Sequence, residues 1–384
     1  MPPAPFVSTM DLSDSLHLDP LWVQQVRNRL LDWFCHHRRT MPWRENPTPY
    51  YVWLAEVMLQ QTQVATVLPY FERFVARFPT IEALASAPIE EVLRYWEGLG
   101  YYARARHLHE TAKRVVQAGG ELPKQVDKLR ELPGIGAYTA GAIASIAFQQ
   151  PEPVVDGNVR RVLARLLWLK GNLQRGKAYR TLWQVARQMV DPPHPGDFNQ
   201  ALMELGSTVC TPLKPACGQC PLQSLCSAFA RGTPTAVPEA VAAKPAQKAV
   251  DGSAVVLHAG SVLLAKRPEQ GLWAGLWEFP RATRQGREEL ETVAQRALDS
   301  VGVRAELWQV LGRVRHAVTY SRIELYGYLY RFVAGTPSSA YYVQIVWVPH
   351  DQLTEYALPT PQRRLAELLR DYLINHQLDL YSAT

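Results

Sequence analysis

The sequence has 384 residues, enough for two or three domains that each have a hydrophobic core. Hydrophobic residues make up 47% and charged residues 20%, as in ordinary globular proteins. The N-terminus lacks the basic and apolar segments of a secretory signal, and no stretch approaches the roughly 20 apolar residues of a membrane span. We therefore expect a soluble, intracellular, cytoplasmic protein without a membrane partner.

Positive charge is concentrated in one part of the chain. The net charge is +6, and residues 21–231 hold 25 Lys and Arg against 17 Asp and Glu. Residues 232–384 are nearly neutral, with 16 basic and 15 acidic side chains. A basic domain favours a polyanionic partner such as nucleic acid, although many basic proteins bind none.

Four segments differ in their patterns. Residues 1–20 are expected to be a flexible tail. Apolar residues recur at intervals of three and four in 21–230, which predicts an all-helical region. Residues 231–250 are rich in Pro, Ala and Thr and predict an extended linker. Residues 251–375 mix strand and helix patterns and predict an α+β domain.

The elements of the second domain can be placed approximately. SAVVLH-AG-SVLLAK predicts a β-hairpin turning at Ala259-Gly260. The pattern of 287–301 is typical of an amphipathic helix, and 322–325 and 341–348 favour strands. A closing helix is predicted over 361–374.

Four of the five cysteines lie within 17 residues. Four thiolates in one short loop can hold a [4Fe–4S] cluster. A zinc site is the alternative, but zinc usually takes two close pairs of ligands, and only one pair is close here. Cys35 lies far away in a helical segment, where we expect a buried thiol. The four loop cysteines are Cys210, Cys217, Cys220 and Cys226.

A glycine-containing turn, LPGIGAYTAGA, spans Leu132–Ala142 between helical patterns at 126–131 and 139–148. Gly134 and Gly136 permit a tight turn and close approach of another chain. Backbone N–H groups here, with the following helix N-terminus, can receive a phosphate oxygen. An ordinary link between two helices is the alternative.

The cysteine spacing and the L-P-G-x-G-x-x-T-A pattern resemble those of the endonuclease III-like helix-hairpin-helix glycosylases. The resemblance implies a six-helix subdomain at about 40–150, which contains the hairpin. It implies a second subdomain built from 21–39 and 151–230, in which the four cysteines hold a [4Fe–4S] cluster. Double-stranded DNA is the implied partner. Lys214, inside the cysteine loop, could contact a phosphate or be an ordinary solvated lysine.

Two carboxylates have contrasting local environments. Asp156 begins VVDGNVRRVLARL as a natural N-cap, where hydrogen bonds and the helix dipole favour its ionised form. Capping alone would explain it. Glu56 has mostly apolar neighbours one turn away and no Lys or Arg between Arg44 and Arg73, which should raise its pKa. A partly exposed helical Glu is the alternative. One protonated and one ionised carboxyl suit glycoside chemistry.

Two further motifs, P-W-R-E at 42–45 and E-V-M-L-Q-Q-T at 56–62, resemble those of the adenine DNA glycosylases (the MutY kind). The resemblance is strong over about 21–230 and weaker over 250–375. It implies hydrolytic removal of adenine mispaired with 8-oxoguanine or guanine, at the nucleoid of a bacterial cell, by a monomer.

The same resemblance implies roles for individual residues. Glu56 would protonate adenine N7, and Asp156 would stabilise the oxocarbenium ion or transiently bond C1′. Tyr138 and Asn158 would support these two near the sugar. The implied adenine pocket contains Trp43, Arg44 and Gln200, and the residues that fill the base stack are Leu59, Gln61 and Tyr101.

A rival hypothesis is an endonuclease III-type lyase that acts on other damaged bases. Such enzymes carry a nucleophilic Lys in the hairpin, where this chain has Tyr138. Without an amine there is no ready Schiff base, so we expect a monofunctional glycosylase. Arg160 stands where many adenine glycosylases carry Lys, which makes incidental lyase activity less favourable.

The second domain resembles the Nudix-like domain with which this family recognises 8-oxoguanine, chiefly through Gly271–Ala282. A Nudix hydrolase needs several carboxylates for Mg²⁺, but the matching helix offers only Asp299, with Arg296 and Ser300 where acids are wanted. We therefore expect a binding module and not a nucleotide-pool hydrolase.

A recognition turn in relatives, Phe-Ser-His, corresponds here to Val318-Thr319-Tyr320. Thr319 keeps a hydroxyl for 8-oxoguanine, whereas the Phe and His are replaced. Plain strand residues are the alternative. A non-catalytic iron–sulfur DNA-binding protein is a further hypothesis, and the pairing of Glu56 with Asp156 disfavours it.

Overall fold

The computed structural model describes residues 17–240, 247–318 and 321–376. The chain forms two compact units. The first unit comprises 17–85 and 110–240, and the second comprises 86–109 and the described residues from 247 onward. Within the described ranges, no helix is both long enough and apolar enough to cross a bilayer.

Helices fill the first part of the chain, as the apolar spacing predicts. The first helix starts with local capping chemistry: Asp19 accepts a hydrogen bond from the backbone N–H of Leu21 (2.9 Å), and Pro20 occupies the first helical position. The helices are α1 (Pro20–His37), α2 (Pro42–Glu45), α3 (Pro49–Leu59), α4 (Val64–Arg77), α5 (Ile81–Ser86), α6 (Ile89–Trp96), α7 (Ala103–Gln117), α8 (Val126–Arg130), α9 (Ala137–Ala142), α10 (Gly157–Leu167), α11 (Gly176–Met189), α12 (Pro195–Thr208) and α13 (Ser227–Ala230).

One hydrophobic core joins α1, α10, α11 and α12 in the first unit. Its members include the fully buried Leu30, Leu163, Leu182 and Phe198, one from each of these helices. Burial of each such side chain stabilises the fold by about 1.5–3 kcal/mol. This core fixes the starts of α10 and α12, which carry candidate site residues.

The prediction of a buried thiol at Cys35 is wrong, because this cysteine is exposed. α1 turns Leu30, Trp33 and Phe34 into the core. Cys35 is one residue after Phe34, about 100° further round the helix, and lies on the outer side of α1.

The second unit contains a seven-stranded sheet with order β3-β2-β1-β6-β5, in which β4 pairs with β1 and β7 pairs with β2. The predicted hairpin is confirmed, with Leu257 opposite Val262. Helix α14 packs on one face and α15 on the other. The elements are β1 (Gln247–His258), β2 (Ser261–Lys266), β3 (Trp277–Glu278), β4 (Arg281–Thr283), α14 (Leu290–Asp299), β5 (Arg304–Val318), β6 (Ser321–Ala334), β7 (Gln344–Pro349) and α15 (Thr360–Asn375).

Strand β5 was not predicted, because its apolar and polar residues do not alternate regularly. Its pairing with β6 shifts register between Leu307 and Gln309 and again between Val310 and Gly312. Each irregularity changes which residues face the core, and this removes the period of two.

Residues 86–109 group with the C-terminal half of the chain. The Arg363 guanidinium binds the Glu97 carboxylate through Nε (2.5 Å) and Nη2 (3.0 Å). Lys266 pairs with Glu90 at 2.8 Å. These contacts between distant parts of the sequence leave no periodic signal.

Candidate active site

A cavity of about 500 Å³ lies in the first unit, between α2, α3, α9, α10 and α12. It brings together residues that are far apart in the sequence. The predicted residues that line it are Trp43, Arg44, Glu56, Leu59, Tyr138, Asp156, Asn158 and Gln200.

Glu56 lies on α3 with only 5% of its surface exposed. Burial raises the pKa of this carboxyl to about 7, and the nearby Asp156 charge adds to the rise. A hydrogen bond from the Tyr138 hydroxyl to Oε2 (2.5 Å) and the positive charge of Arg44 act in the opposite direction. Glu56 can therefore hold a proton near neutral pH, and the predicted upward shift of its pKa is confirmed.

Asp156 caps the N-terminus of α10, as predicted. Its Oδ1 accepts a hydrogen bond from the Val159 backbone N–H (2.6 Å), and its Oδ2 accepts one from the Asn158 amide (2.8 Å). The expectation that capping would dominate its ionisation is wrong. Burial raises the pKa of Asp156 above its usual value, and the hydrogen bonds only partly offset this rise.

Asn158 is held tightly between α10 and α12. A Cβ atom added to Gly206 would lie 2.6 Å from the Asn158 Cβ, so only glycine permits this approach. Arg161 donates hydrogen bonds to Asn158 Oδ1 (2.8 Å), to the Gly206 carbonyl (2.7 Å) and to the Cys210 carbonyl (2.7 Å). Hydrogen bonds through Arg161 thus connect Asn158, which donates to Asp156, with the start of the cysteine loop.

Another wall of the cavity is organised by Glu204, which was not predicted. Glu204 is 1% exposed and accepts hydrogen bonds from Arg39 (2.5 and 3.0 Å) and Arg44 (2.9 Å). Burial disfavours its charge, but the two guanidinium groups lower its pKa overall. Arg44 also donates to the Gln200 side chain (3.0 Å). A signal was available, because Glu204 follows Gln200 by one helical turn.

A groove of about 700 Å³ adjoins the cavity and shares Tyr138, Asp156 and Asn158 with it. The turn after α3 forms one side of it, where Gln61 has a left-handed backbone (φ 58°). Gly136 lines the groove and has open space where a Cβ would stand.

Gly134, just before this point in the hairpin, adopts φ 75°, a conformation that favours glycine. The predicted helices on either side of the turn are present as α8 and α9, and α9 continues into a π-helical segment at Ile143–Ala147. The Ile135 backbone N–H donates to the Leu132 carbonyl (3.2 Å), which closes the turn.

Among the predicted binding residues that the structure describes, Gly134, Tyr101 and Lys214 do not line the cavity or the groove. Tyr101 belongs to the second unit, is 38% exposed and has φ 49°, with the Arg104 guanidinium 5.3 Å from its ring centre. Lys214 is exposed in the cysteine loop, and its carbonyl accepts a hydrogen bond from the Thr211 hydroxyl (2.7 Å). Thr319 lies outside the described residues.

The four loop cysteines line one small cavity together with Arg165. The buried Arg165 donates to the Thr211 and Pro212 carbonyls (both 2.7 Å), and its Nη1 lies 3.4 Å from Cys210 Sγ. Burial raises the pKa of Cys220 to about 12. Thiolates here need compensating positive charge, which bound iron supplies, so the donor set fits an iron–sulfur cluster. Within the described ranges no three His, Cys, Asp or Glu side chains are arranged to hold one metal ion.

Three family models match the chain. Residues 54–188 match the helix-hairpin-helix superfamily of base excision DNA repair proteins. Residues 210–226 match the iron–sulfur binding domain of endonuclease III, and 253–368 match the NUDIX domain. These matches confirm the predicted superfamily, an iron–sulfur binding loop and a Nudix-like second domain.

Curated relatives extend the similarity to most of the chain. Adenine DNA glycosylase of Rattus norvegicus is 35% identical, over 97% of this chain and 81% of the relative. The Homo sapiens enzyme of the same name is 37% identical, over 91% and 75%. The Arabidopsis thaliana enzyme is 44% identical, over 67% of this chain and 47% of its own length.

Among solved structures, a thermostable thymine-DNA glycosylase superposes with a TM-score of 0.51 at 28% identity. That match covers 55% of this chain and 98% of the other protein. It supports the helical glycosylase fold of the first part of the chain. Because this chain also covers at least 75% of the rat and human relatives at 35–37% identity, it belongs to the adenine DNA glycosylase family of base excision DNA repair enzymes.

Proposed function

We propose that this chain is a monofunctional, monomeric glycosylase that removes adenine mispaired with 8-oxoguanine or guanine in double-stranded DNA. The observation that carries the proposal is the pair of carboxyl groups, the buried Glu56 and the partly buried Asp156, in one cavity next to a groove. Its test is single-turnover base release from duplexes with adenine opposite 8-oxoguanine, guanine, cytosine or thymine. Release opposite the first two only is expected, and equal release from all four would contradict the specificity.

In the proposed reaction, Glu56 donates its proton to N7 of the flipped adenine. The C1′–N9 bond then breaks with both electrons passing to the base, which leaves as neutral adenine. The Asp156 carboxylate stabilises the positive charge that develops on the sugar. Water adds to C1′, and its proton returns to Glu56, leaving an abasic site.

Other residues hold the reactants in place under this proposal. Tyr138 and Asn158 keep the two carboxyl groups oriented through the hydrogen bonds described above. Trp43, Arg44 and Gln200 form the walls that receive the adenine base, which must leave the helix to reach them.

DNA contacts are assigned to several surfaces. Leu59 and Gln61 are proposed to fill the base stack beside the groove, and Gly134 and Gly136 to present backbone N–H groups to a phosphate. Further proposed contacts are Tyr101 from the second unit and Lys214 from the cysteine loop.

The domain roles follow from these assignments. Residues 21–230 are proposed to contain the catalytic machinery, and 251–375 to recognise 8-oxoguanine, with the Thr319 hydroxyl as one contact. A binding role suits this domain, because Arg296 stands on α14 where a hydrolase needs an acid. Its guanidinium already binds Glu288 (2.9 Å) and the Thr283 carbonyl (2.8 Å).

The rate of base release is expected to fall as the pH rises through about 7, because Glu56 must keep its proton. It should also fall in acid, where Asp156 becomes protonated, at a pH above the usual 3.8 of this group. Single-turnover rates with excess enzyme measure this profile. A rate that stays constant well above neutral pH would exclude Glu56 as the acid.

No covalent enzyme–DNA adduct is expected when borohydride is added during turnover. Borohydride reduces a Schiff base, which needs an amine, and Tyr138 stands where the lyases carry Lys. Denaturing electrophoresis measures the adduct. Strong trapping would show that another amine attacks C1′ and that the enzyme is bifunctional.

The cluster is proposed to be [4Fe–4S], held by Cys210, Cys217, Cys220 and Cys226, with a structural role in the loop. Purified protein should be brown and contain iron and sulfide in equal amounts, about four of each per chain. Replacing Cys220 with Ser should lower both contents and destabilise the fold. Colourless protein that contains stoichiometric zinc would contradict the assignment.

A further inference from the structure

We propose that one face of α11, made of Tyr179, Arg180 and Trp183, together with the N-cap residue Arg175, binds the backbone of the DNA strand that carries the target nucleotide. The inference rests on the proposed placement of that nucleotide at Asp156. It assigns a binding role to a helix that lies outside the hairpin, the cysteine loop and the two motifs at 42–45 and 56–62.

The proposed face of α11 forms part of the groove. Tyr179 and Trp183 line the same groove as Asp156, Asn158 and Gly136. The groove therefore runs from the hairpin, past the candidate catalytic carboxylate, to α11. A strand whose nucleotide enters the cavity at Asp156 must continue on at least one side, and α11 forms the wall there.

The aromatic pair is suited to such a contact. The two rings are one helical turn apart and pack edge to face, with centroids 6.2 Å apart and planes at 73°. Both side chains are only half-buried, although the unit has a large core that could enclose them. Partly exposed aromatic walls in a groove pack well against sugars and stacked bases.

The Trp183 indole also offers a hydrogen-bond donor for the proposed contact with DNA. Its Nε1 is buried and has no hydrogen-bond partner within the described part of the chain. An unsatisfied buried donor costs free energy until an acceptor arrives. Because Trp183 lines the groove, a phosphate oxygen bound there is the proposed acceptor for this donor.

The positive charge of this segment also favours DNA as the ligand. Residues 172–190 contain four basic side chains and no acidic one. Arg180 precedes Trp183 by three residues and so lies on the aromatic side of the helix, and Arg175 is the N-cap residue at its start. Both are exposed and make no ion pair with a described residue, whereas Arg187 of the same helix pairs with Glu152 (3.7 Å). Exposed guanidinium groups beside a groove of this kind favour polyanionic DNA over a neutral ligand.

The test is equilibrium binding to a duplex with 2′-fluoro-2′-deoxyadenosine opposite 8-oxoguanine, in which the fluorine blocks hydrolysis, over a series of salt concentrations. Arg175→Ala and Arg180→Ala should each weaken binding and reduce the slope of log K against log salt by about 0.9. Trp183→Phe keeps a ring but loses the donor, so affinity should fall about 10-fold with the slope unchanged. Arg114→Ala removes an exposed arginine of α7 that pairs with Glu110 and should change neither quantity.

Methylphosphonate substitution at single positions of the target strand locates the contact. If Arg180 binds one phosphate, neutralising that phosphate should weaken wild-type binding and have little further effect on Arg180→Ala. Circular dichroism of each variant establishes that it is folded. Wild-type affinity and slope in the folded Arg175, Arg180 and Trp183 variants would overturn the proposal.

These outcomes are separable from the proposed activity. Wild-type enzyme that binds with the predicted slopes but releases no adenine would leave the α11 surface standing and reject the proposed reaction. Wild-type enzyme that releases adenine, with all three variants binding normally, would reject the surface alone.

Discussion

Glu56→Gln is expected to reduce single-turnover adenine release by about 10³-fold, because glutamine cannot donate a proton to the leaving base. The substitution keeps the shape of the side chain and an oxygen that accepts the Tyr138 hydrogen bond. The measurement is release from the duplex with adenine opposite 8-oxoguanine, under enzyme excess. Activity within about tenfold of wild type would reject Glu56 as the general acid.

A stability measurement controls for misfolding of this variant. The folded-state pKa of Glu56 is raised from 4.5 to about 7, so ionisation destabilises the folded state progressively as the pH rises between these values. Glutamine does not ionise. At a pH above about 7, thermal unfolding of Glu56→Gln should therefore occur at a temperature no lower than that of wild type.

Asp156→Asn is expected to have an effect of similar size, about 10³-fold or more on base release, because the negative charge facing the sugar is removed. Asparagine is itself a good N-cap and can still accept from the Val159 backbone N–H. The loss should therefore be chemical and not structural. The same single-turnover assay measures it, and unchanged circular dichroism confirms the fold.

A binding measurement distinguishes a loss of DNA affinity from a loss of catalysis in Asp156→Asn. Affinity for the uncleavable 2′-fluoro duplex should be unchanged or higher, since a negative charge near anionic DNA is removed. Full base release by Asp156→Asn would contradict the proposed stabilisation of the sugar cation.

The sequence predicted the ionisation of Glu56 but not that of Asp156, for a physical reason. The apolar neighbours of Glu56 lie within one helical turn of it, so they can be identified from the sequence. The cap hydrogen bonds of Asp156 are also local and were predicted. Its desolvation comes from tertiary packing around the start of α10, where Gly206 lies against Asn158, and a single sequence does not reveal that packing.

Residues that act through long-range contacts were missed. Glu204 has its role only because Arg39 and Arg44 reach it across about 160 positions of the sequence. Tyr179 and Trp183 fit an ordinary helical pattern, and only the folded chain shows that they line the groove. Strand β5 was hidden by its register shifts. Motifs and local periodicity therefore predicted most of the elements and much of the cavity lining, whereas contacts made by tertiary packing added residues such as Glu204.

Replacing adenine with 7-deazaadenine opposite 8-oxoguanine tests protonation by Glu56 most directly. The analogue keeps the shape and amino group of the base but has carbon in place of N7, the proposed site of protonation. Wild-type enzyme should bind both duplexes with similar affinity, release adenine rapidly and release 7-deazaadenine about 10³-fold more slowly or not at all. Release of both bases at the same rate would contradict catalysis by proton transfer from Glu56 to N7.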